Sequence, residues 1–193
     1  QGSGLERSAA MPNVPVPDEL REDVEVAREL GGPKADPRMS PMAKVDRPFH
    51  LRSVFELGSD AWGEDRFWNP TWIKFREAVS LPNAIDDPKE AAFRLQALSR
   101  CLIAYASDMG LVSTAVLPHQ SGTSRGDVQM ASLDHSLWIH RSASLDQWLL
   151  FHKRTSTAQG SRGMVHSEFF GENGTLVASM TQEGLLRKRR DAS

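Results

Sequence analysis

Asp108 and Gln182 stand where the hydrophobic pattern of the chain asks for apolar side chains. Steps of three, four and three residues from Leu98 pass through Cys101 and Tyr105 to Asp108, along one stripe of a helix. A carboxylate on that stripe must be paired, hydrogen-bonded or turned into a cavity, because burying a bare charge is expensive. In a cavity its chemistry is proton transfer; the plainer role is that of a helix-terminal aspartate bonded to local backbone. Leu176, Ala178, Met180 and Gln182 share one strand face by the two-residue period, which makes Gln182 the only polar member of that row. Its plainer role is an amide satisfied by backbone at a sheet edge. Parity also places Ser132, Asp134, Ser136 and Trp138 on one side of a strand, with Leu133, His135, Leu137 and Ile139 on the other. Ser132 then reads as a strand hydroxyl, His135 as a satisfied core histidine, and His119, after Pro118, as a turn residue.

Other chemistries lack their residues. There is no Gly-x-Ser-x-Gly nucleophile elbow, no Walker loop and no dinucleotide glycine fingerprint. The six histidines show no His-Glu-x-x-His spacing, and one cysteine cannot build a zinc site. No metal and no cofactor are expected.

The elements that must position these residues begin at Phe49. His50–Leu57 and Thr71–Val79 read as strands, separated by a tryptophan-rich, charged loop over Gly58–Asn69. Asp86-Asp87-Pro88 opens a helix with a stripe of Leu95, Leu98, Cys101, Leu102 and Tyr105, ended by Gly110 or by Leu117-Pro118. Strands follow near Val128–His140, Gln147–Thr157, Gly163–Phe170 and Thr175–Arg187, the last two joined by the turn signal Asn173-Gly174. Two strands, a long helix and four antiparallel strands make an α+β order. Residues 1–48 differ: they hold seven of the 11 prolines and read as an extended interdomain linker or arm lying on a domain surface, with one short helix from Asp18 to about Leu30 ended by Gly31 and Gly32.

The composition suits one such domain. At 193 residues, 39% hydrophobic and 25% charged, the chain can build a modest core. A net charge of −2 gives no argument for nucleic acid or a membrane surface as partner. No run approaches the roughly 18 apolar residues of a membrane span, and the first residues do not read as a basic n-region followed by an apolar h-region, so secretion is not expected. The lone Cys101 fits a reducing compartment. Asp191-Ala192-Ser193 is no peroxisomal address, so a cytoplasmic setting is expected.

Five segments resemble the type II (TesB-like) acyl-CoA thioesterases. They are AMPNVPVPDEL (10–20), LIAYASDMGLVSTAVLPH (102–119), ASLDHSLWIHR (131–141), WLLF with TSTAQGSRG (148–163), and LVASMTQEGLLR (176–187). With their intervals they cover about residues 5–188, and YASD, SLDHS-W-H, SRG and QEG in this order are highly specific together. The resemblance implies a hotdog fold, an antiparallel sheet wrapped around one long helix, over residues 49–188, with 189–193 a tail. It also implies hydrolysis of medium- or long-chain acyl-CoA to fatty acid and CoA. By the motifs, Asp108 acts as the base, and Ser132, a threonine in the family, and Gln182 hold the hydrolytic water. CoA enters as part of the substrate, not as a cofactor.

The family enzyme usually carries two hotdog domains in one chain, and residues 10–20 resemble the linker after the first. The resemblance therefore implies a second hotdog domain as partner, from a separate N-terminal half or a homodimer. Leu57–Asn69 and Asn83–Phe93 fit the pattern poorly and read as insertions. Two other readings stand beside hydrolysis. One is a hotdog hydratase or dehydratase using Asp134-His135, which strand parity disfavours because adjacent residues face opposite ways. The other is a non-enzymatic half that completes another hotdog subunit. The basic run Arg187-Lys188-Arg189-Arg190 reads as a solvated terminus, with contact to CoA phosphates as the lesser use.

Overall fold

The computed structural model of the protein describes residues 5–30, 48–57, 67–81, 85–119 and 127–189. Its strands are β1 (Phe49–Ser53), β2 (Trp68–Phe75), β3 (Val128–Ser132), β4 (Ser136–Ile139), β5 (Leu149–Gln159), β6 (Arg162–Gly171) and β7 (Leu176–Lys188). They form one seven-stranded sheet in the order β1-β2-β5-β6-β7-β3, with β4 also paired to β7. Every pairing is antiparallel. The helices are α1 (Asp23–Glu29), α2 (Pro88–Ser107) and α3 (Leu111–Thr114). This is the expected α+β order, a long helix on an antiparallel sheet.

The local causes are visible at the joints. Asp87 caps α2, its side chain accepting the Lys89 N–H at 2.9 Å, and Pro88 takes the first helical position. Gly110 has φ of 77°, a left-handed turn that separates α2 from α3 at little cost for glycine. Gly174 (φ 80°) and the Asn173 side chain, which accepts the Thr175 N–H, turn β6 into β7.

α2 and α3 cover one face of the sheet. Ile103, Ala106, Leu111 and Ala115 pack on Ile73, Phe151, Val165, Phe169 and Met180. Full burial of side chains such as Ile103 and Phe151 is worth about 1.5–3 kcal/mol each. Phe151 and Phe169 lie opposite each other across β5 and β6, with ring centroids 4.4 Å apart. Two glycines let α3 touch the strands. A Cβ on Gly163 would meet Ala115 Cβ at 2.5 Å, and one on Gly184 would meet Val112 Cγ1 at 2.5 Å.

Within the proline-rich arm, residues 11–29 pack on the sheet. Met11, Val14 and Leu20 lie against Trp72, Leu150, Phe170 and Leu176 on the sheet's other face, and the Trp72 indole donates to Pro15 O at 2.9 Å. The expected helix from Asp18 is instead a 3-10 turn, Pro17–Glu19, followed by α1. Asp18 falls inside that turn, because Pro17 opens it. α1 runs along β1, where Asp23 accepts both the backbone N–H and the hydroxyl of Ser53 at 2.8 Å. Lys153 is also buried and donates to Thr71 Oγ1 at 3.0 Å. Burial pushes the Asp23 carboxyl up to about 6, against the pull of Ser53 and of the Lys153 charge. Burial pushes Lys153 down to about 8, opposed by Asp23.

Three further expectations change. The run Val128–His140 is two strands, β3 and β4, separated by residues 133–135. The buried stripe of α2 is Ser99, Ile103, Ala106 and Ser107, while Cys101 and Asp108 are exposed and Tyr105 is 62% exposed. The helix is apolar on two sides, so periodicity alone did not select the side that meets the sheet. Third, Pro88–His119 does contain an 18-residue window of mean hydropathy 1.4, long and apolar enough for a span by composition. Within the fold it is the helical segment packed on the sheet, broken at Gly110. Gly31 and Gly32, most of the loop 58–69, the stretch 82–84 and the tail from Arg190 lie outside the described residues.

Candidate active site

Asp108 is the C-cap of α2, Ser132 the last residue of β3, and Gln182 a central residue of β7. They meet at one oxygen. The Gln182 amide Nε2 donates to Asp108 Oδ1 at 2.6 Å, and the Ser132 hydroxyl points to the same oxygen at 3.5 Å. The first contact is a short charge-assisted bond; the second lies at the outer limit for a hydroxyl donor. Asp108 is exposed, not buried as its stripe implied, while Gln182 is 1% exposed. The carbonyl end of a helix disfavours an anion, so what supports the Asp108 carboxylate is the Gln182 amide and not the helix.

Gln182 Oε1 is buried and has no hydrogen-bond partner among the described residues. Since Nε2 must donate to the carboxylate, the free end of this amide is an acceptor. A buried acceptor without a donor is uncommon in folded proteins and marks a place where another molecule can donate.

The break between β3 and β4 builds the site. Ser132 pairs with Gly184 and Ser136 with Thr181, leaving residues 133–135 opposite Gln182 and Glu183. Leu133 N donates to Glu183 O at 2.9 Å, and the Asp134 carboxylate accepts the Glu183 N–H at 2.7 Å, replacing a strand carbonyl. His135 Nε2 meets Ser107 Oγ at 2.8 Å, and that hydroxyl donates to Ala104 O at 2.7 Å. Asp134 thus holds the bulge on β7, and His135 ties it to the end of α2, one residue before Asp108. Bulges commonly re-aim side chains beside active sites. Asp134 and His135 do not form a catalytic pair, and His135 is not a core residue of the Leu137–Ile139 face. His119 ends a 3-10 turn, Leu117–His119.

Sequence reasoning overlooked Ser107, fully buried next to Asp108, and the Lys153–Thr71–Asp23–Ser53 group. Lys153 was within reach, since parity puts it in the apolar row of Leu149 and Phe151 just as it puts Gln182 in its own. Among the described residues, no group of three or more His, Cys, Asp or Glu side chains could hold a metal ion.

Four large apolar side chains of α2, β4 and the segment before β4 are exposed. Tyr105 is 62%, Phe93 64%, Leu133 51% and Trp138 53% exposed. Phe93 and Tyr105 lie on α2, whereas Trp138 pairs with Ser179 and so faces the side of the sheet opposite Gln182.

The profile of the acyl-CoA thioesterase family matches residues 89–185, a span that holds Asp108, Ser132 and Gln182. The chain belongs to that family. Relatives include acyl-CoA thioesterase 2 of Haemophilus influenzae, 28% identical over 95% of this chain and 59% of its own length. Human acyl-coenzyme A thioesterase 8 is also 28% identical, over 100% of this chain and 58% of its own length. The crystal structure of acyl-CoA thioesterase II TesB2 from Mycobacterium marinum superposes with TM-score 0.66 at 29% identity, over 98% of this chain and 60% of that one. A hot dog fold protein from Alicyclobacillus acidocaldarius, 16% identical, gives TM-score 0.55 over 98% of this chain. The fold is a hotdog, and the chain spans about three fifths of the length of these relatives.

Proposed function

We propose that this chain carries the water-activating side of an acyl-CoA thioesterase. The observation behind this reading is the convergence of the Gln182 amide and the Ser132 hydroxyl on Asp108 Oδ1, from residues far apart in the chain. Asp108, ionised, takes a proton from water. Ser132 and Gln182 hold that water, and the unpaired Gln182 Oε1 accepts its second hydrogen. The water oxygen adds to the thioester carbonyl, the C–S bond breaks, and the thiolate leaves with the proton returned by Asp108. The products are a fatty acid and CoA. A thiolate leaves readily, so no covalent intermediate is required.

Asp108 and Ser132 are exposed, so the site has an open side. A second hotdog domain closes it in this reading, either an N-terminal half or another copy of the chain, and its wall sets the medium- to long-chain preference. The test is thiol release from acyl-CoAs of varied length, with and without an N-terminal hotdog partner, for wild type and Asp108→Asn. Release that depends on acyl length and vanishes in Asp108→Asn is expected. Full turnover in Asp108→Asn would remove Asp108 as the base. A chain that never releases thiol, yet raises the turnover of its partner, would make it a completing half only.

A further inference from the structure

A cleft of about 350 Å³ lies between α2 and the loop that follows β4, away from Asp108. Arg100 and Arg141 line it together with Ser99, Ser142 and Ser144. Its floor is apolar, made by Leu95 and Ile103. The loop is held in place: the Gln96 amide donates to Ser142 Oγ at 2.5 Å, and Arg141 Nη1 donates to Leu176 O at 3.0 Å. The Arg100 side chain makes no hydrogen bond or ion pair among the described residues, and neither does the side chain of Ser99, which is 8% exposed. No carboxylate lines the cleft.

We propose that this cleft binds the diphosphate end of coenzyme A. The proposal deepens the acyl-CoA reading above and rests on it. Two guanidinium groups present planar forks suited to phosphate oxygens, and serine hydroxyls add neutral donors. The apolar floor suits the dimethyl carbons that sit beside the diphosphate in the pantoyl unit. Spacing fits as well. Arg100 precedes Asp108 by eight residues of helix, about 12 Å of rise. The pantetheine arm between thiol and diphosphate is equivalent to four or five residues of extended backbone, roughly 15 Å.

A second cleft, near His119, Arg162 and Lys188, suits a phosphate less well. Arg162 there is already paired with Glu183 at 3.4 Å, and α3, wedged onto Gly163 and Gly184, stands between that cleft and Asp108.

Calorimetric titration of the full chain with CoA, pantetheine and inorganic diphosphate tests the assignment, using wild type, Arg100→Ala and Arg100→Glu. Arg100 is exposed, so both variants should keep the wild-type melting temperature. The expected result is about tenfold weaker CoA binding in Arg100→Ala, a larger loss in Arg100→Glu, unchanged pantetheine binding, and competition between diphosphate and CoA in wild type. Equal CoA affinity in all three proteins would overturn the subsite and leave the acyl-CoA reading standing. So would a parallel loss of pantetheine binding. A wild-type chain that takes diphosphate but neither CoA nor pantetheine, with or without a hotdog partner, sinks both.

Discussion

The carboxylate of Asp108 and the amide of Gln182 gain little for the fold beyond the bond they make to each other. Asp108 sits at the disfavoured end of α2, and half of the Gln182 amide is buried without a donor. Asp108→Asn should lower kcat by at least about 100-fold, the usual contribution of a general base, while thermal midpoint stays within about 3 °C. Gln182→Met keeps the volume and removes the orphaned acceptor. It should cost most of the activity yet leave urea stability unchanged or raised by up to about 1 kcal/mol. A large loss of stability in that variant would make Gln182 a structural amide. Spacing placed Gln182 correctly, since period two picks out a polar side chain in a buried apolar row. It placed Asp108 on a stripe that is exposed, so only the motif rightly singled that residue out. Ser132 was not legible from spacing, since a strand hydroxyl is ordinary; only the motif around it drew attention.

At the scale of elements, the strands of the second half were readable because alternation and the Asn173-Gly174 turn agree. The division of Val128–His140 was not, because Asp134 replaces a ladder acceptor only once β7 lies alongside. Nor was the buried side of α2, apolar on two faces. The arm carried no period at all, so its packing on Trp72 left no trace in the pattern. α3 is the element that seats Asp108. It follows that residue by three positions and rests on Gly184, two residues beyond Gln182, with Val112 in contact. Gly184→Ala should destabilise the protein by about 1–3 kcal/mol through overpacking and reduce kcat more than it changes KM. Val112→Ala in the same chain should restore a large part of both. Failure of the second substitution to rescue either would show that the close approach is not what Gly184 supplies. Denaturant melts and thiol-release kinetics on the single and double variants provide the measurement.

For the molecule as a whole, the arm matters through a charge. Lys153 is buried on the sheet, and Asp23 is the charge that opposes its loss of the proton. The folded Asp23 carboxyl titrates above its unfolded value, so its contribution to stability falls as pH rises from about 4 to about 6. Folded Lys153 titrates below its unfolded value, so its contribution grows as pH rises from about 8 toward 10.5. The pair alone therefore produces a shallow stability minimum between about 6 and 8. Asp23→Asn strands the buried ammonium and should cost about 3 kcal/mol at pH 7. That deficit should shrink between pH 7 and 9, as Lys153 loses its proton in the folded wild type; urea unfolding across this range reads it directly. A deficit independent of pH would mean that the lost Ser53 bonds, not the charge, are responsible.

The same arm has a topological result. By fastening Asp23 to the free N–H of Ser53 and Pro17 O to the Arg52 side chain, it seals the β1 border of the sheet against strand addition. The opposite border, β3 and β4, carries no such guard among the described residues. A neighbouring sheet that extends this one edge to edge is therefore better received on the border that holds Ser132, where the newcomer's side chains would come to lie beside Ser132 and not on the far rim.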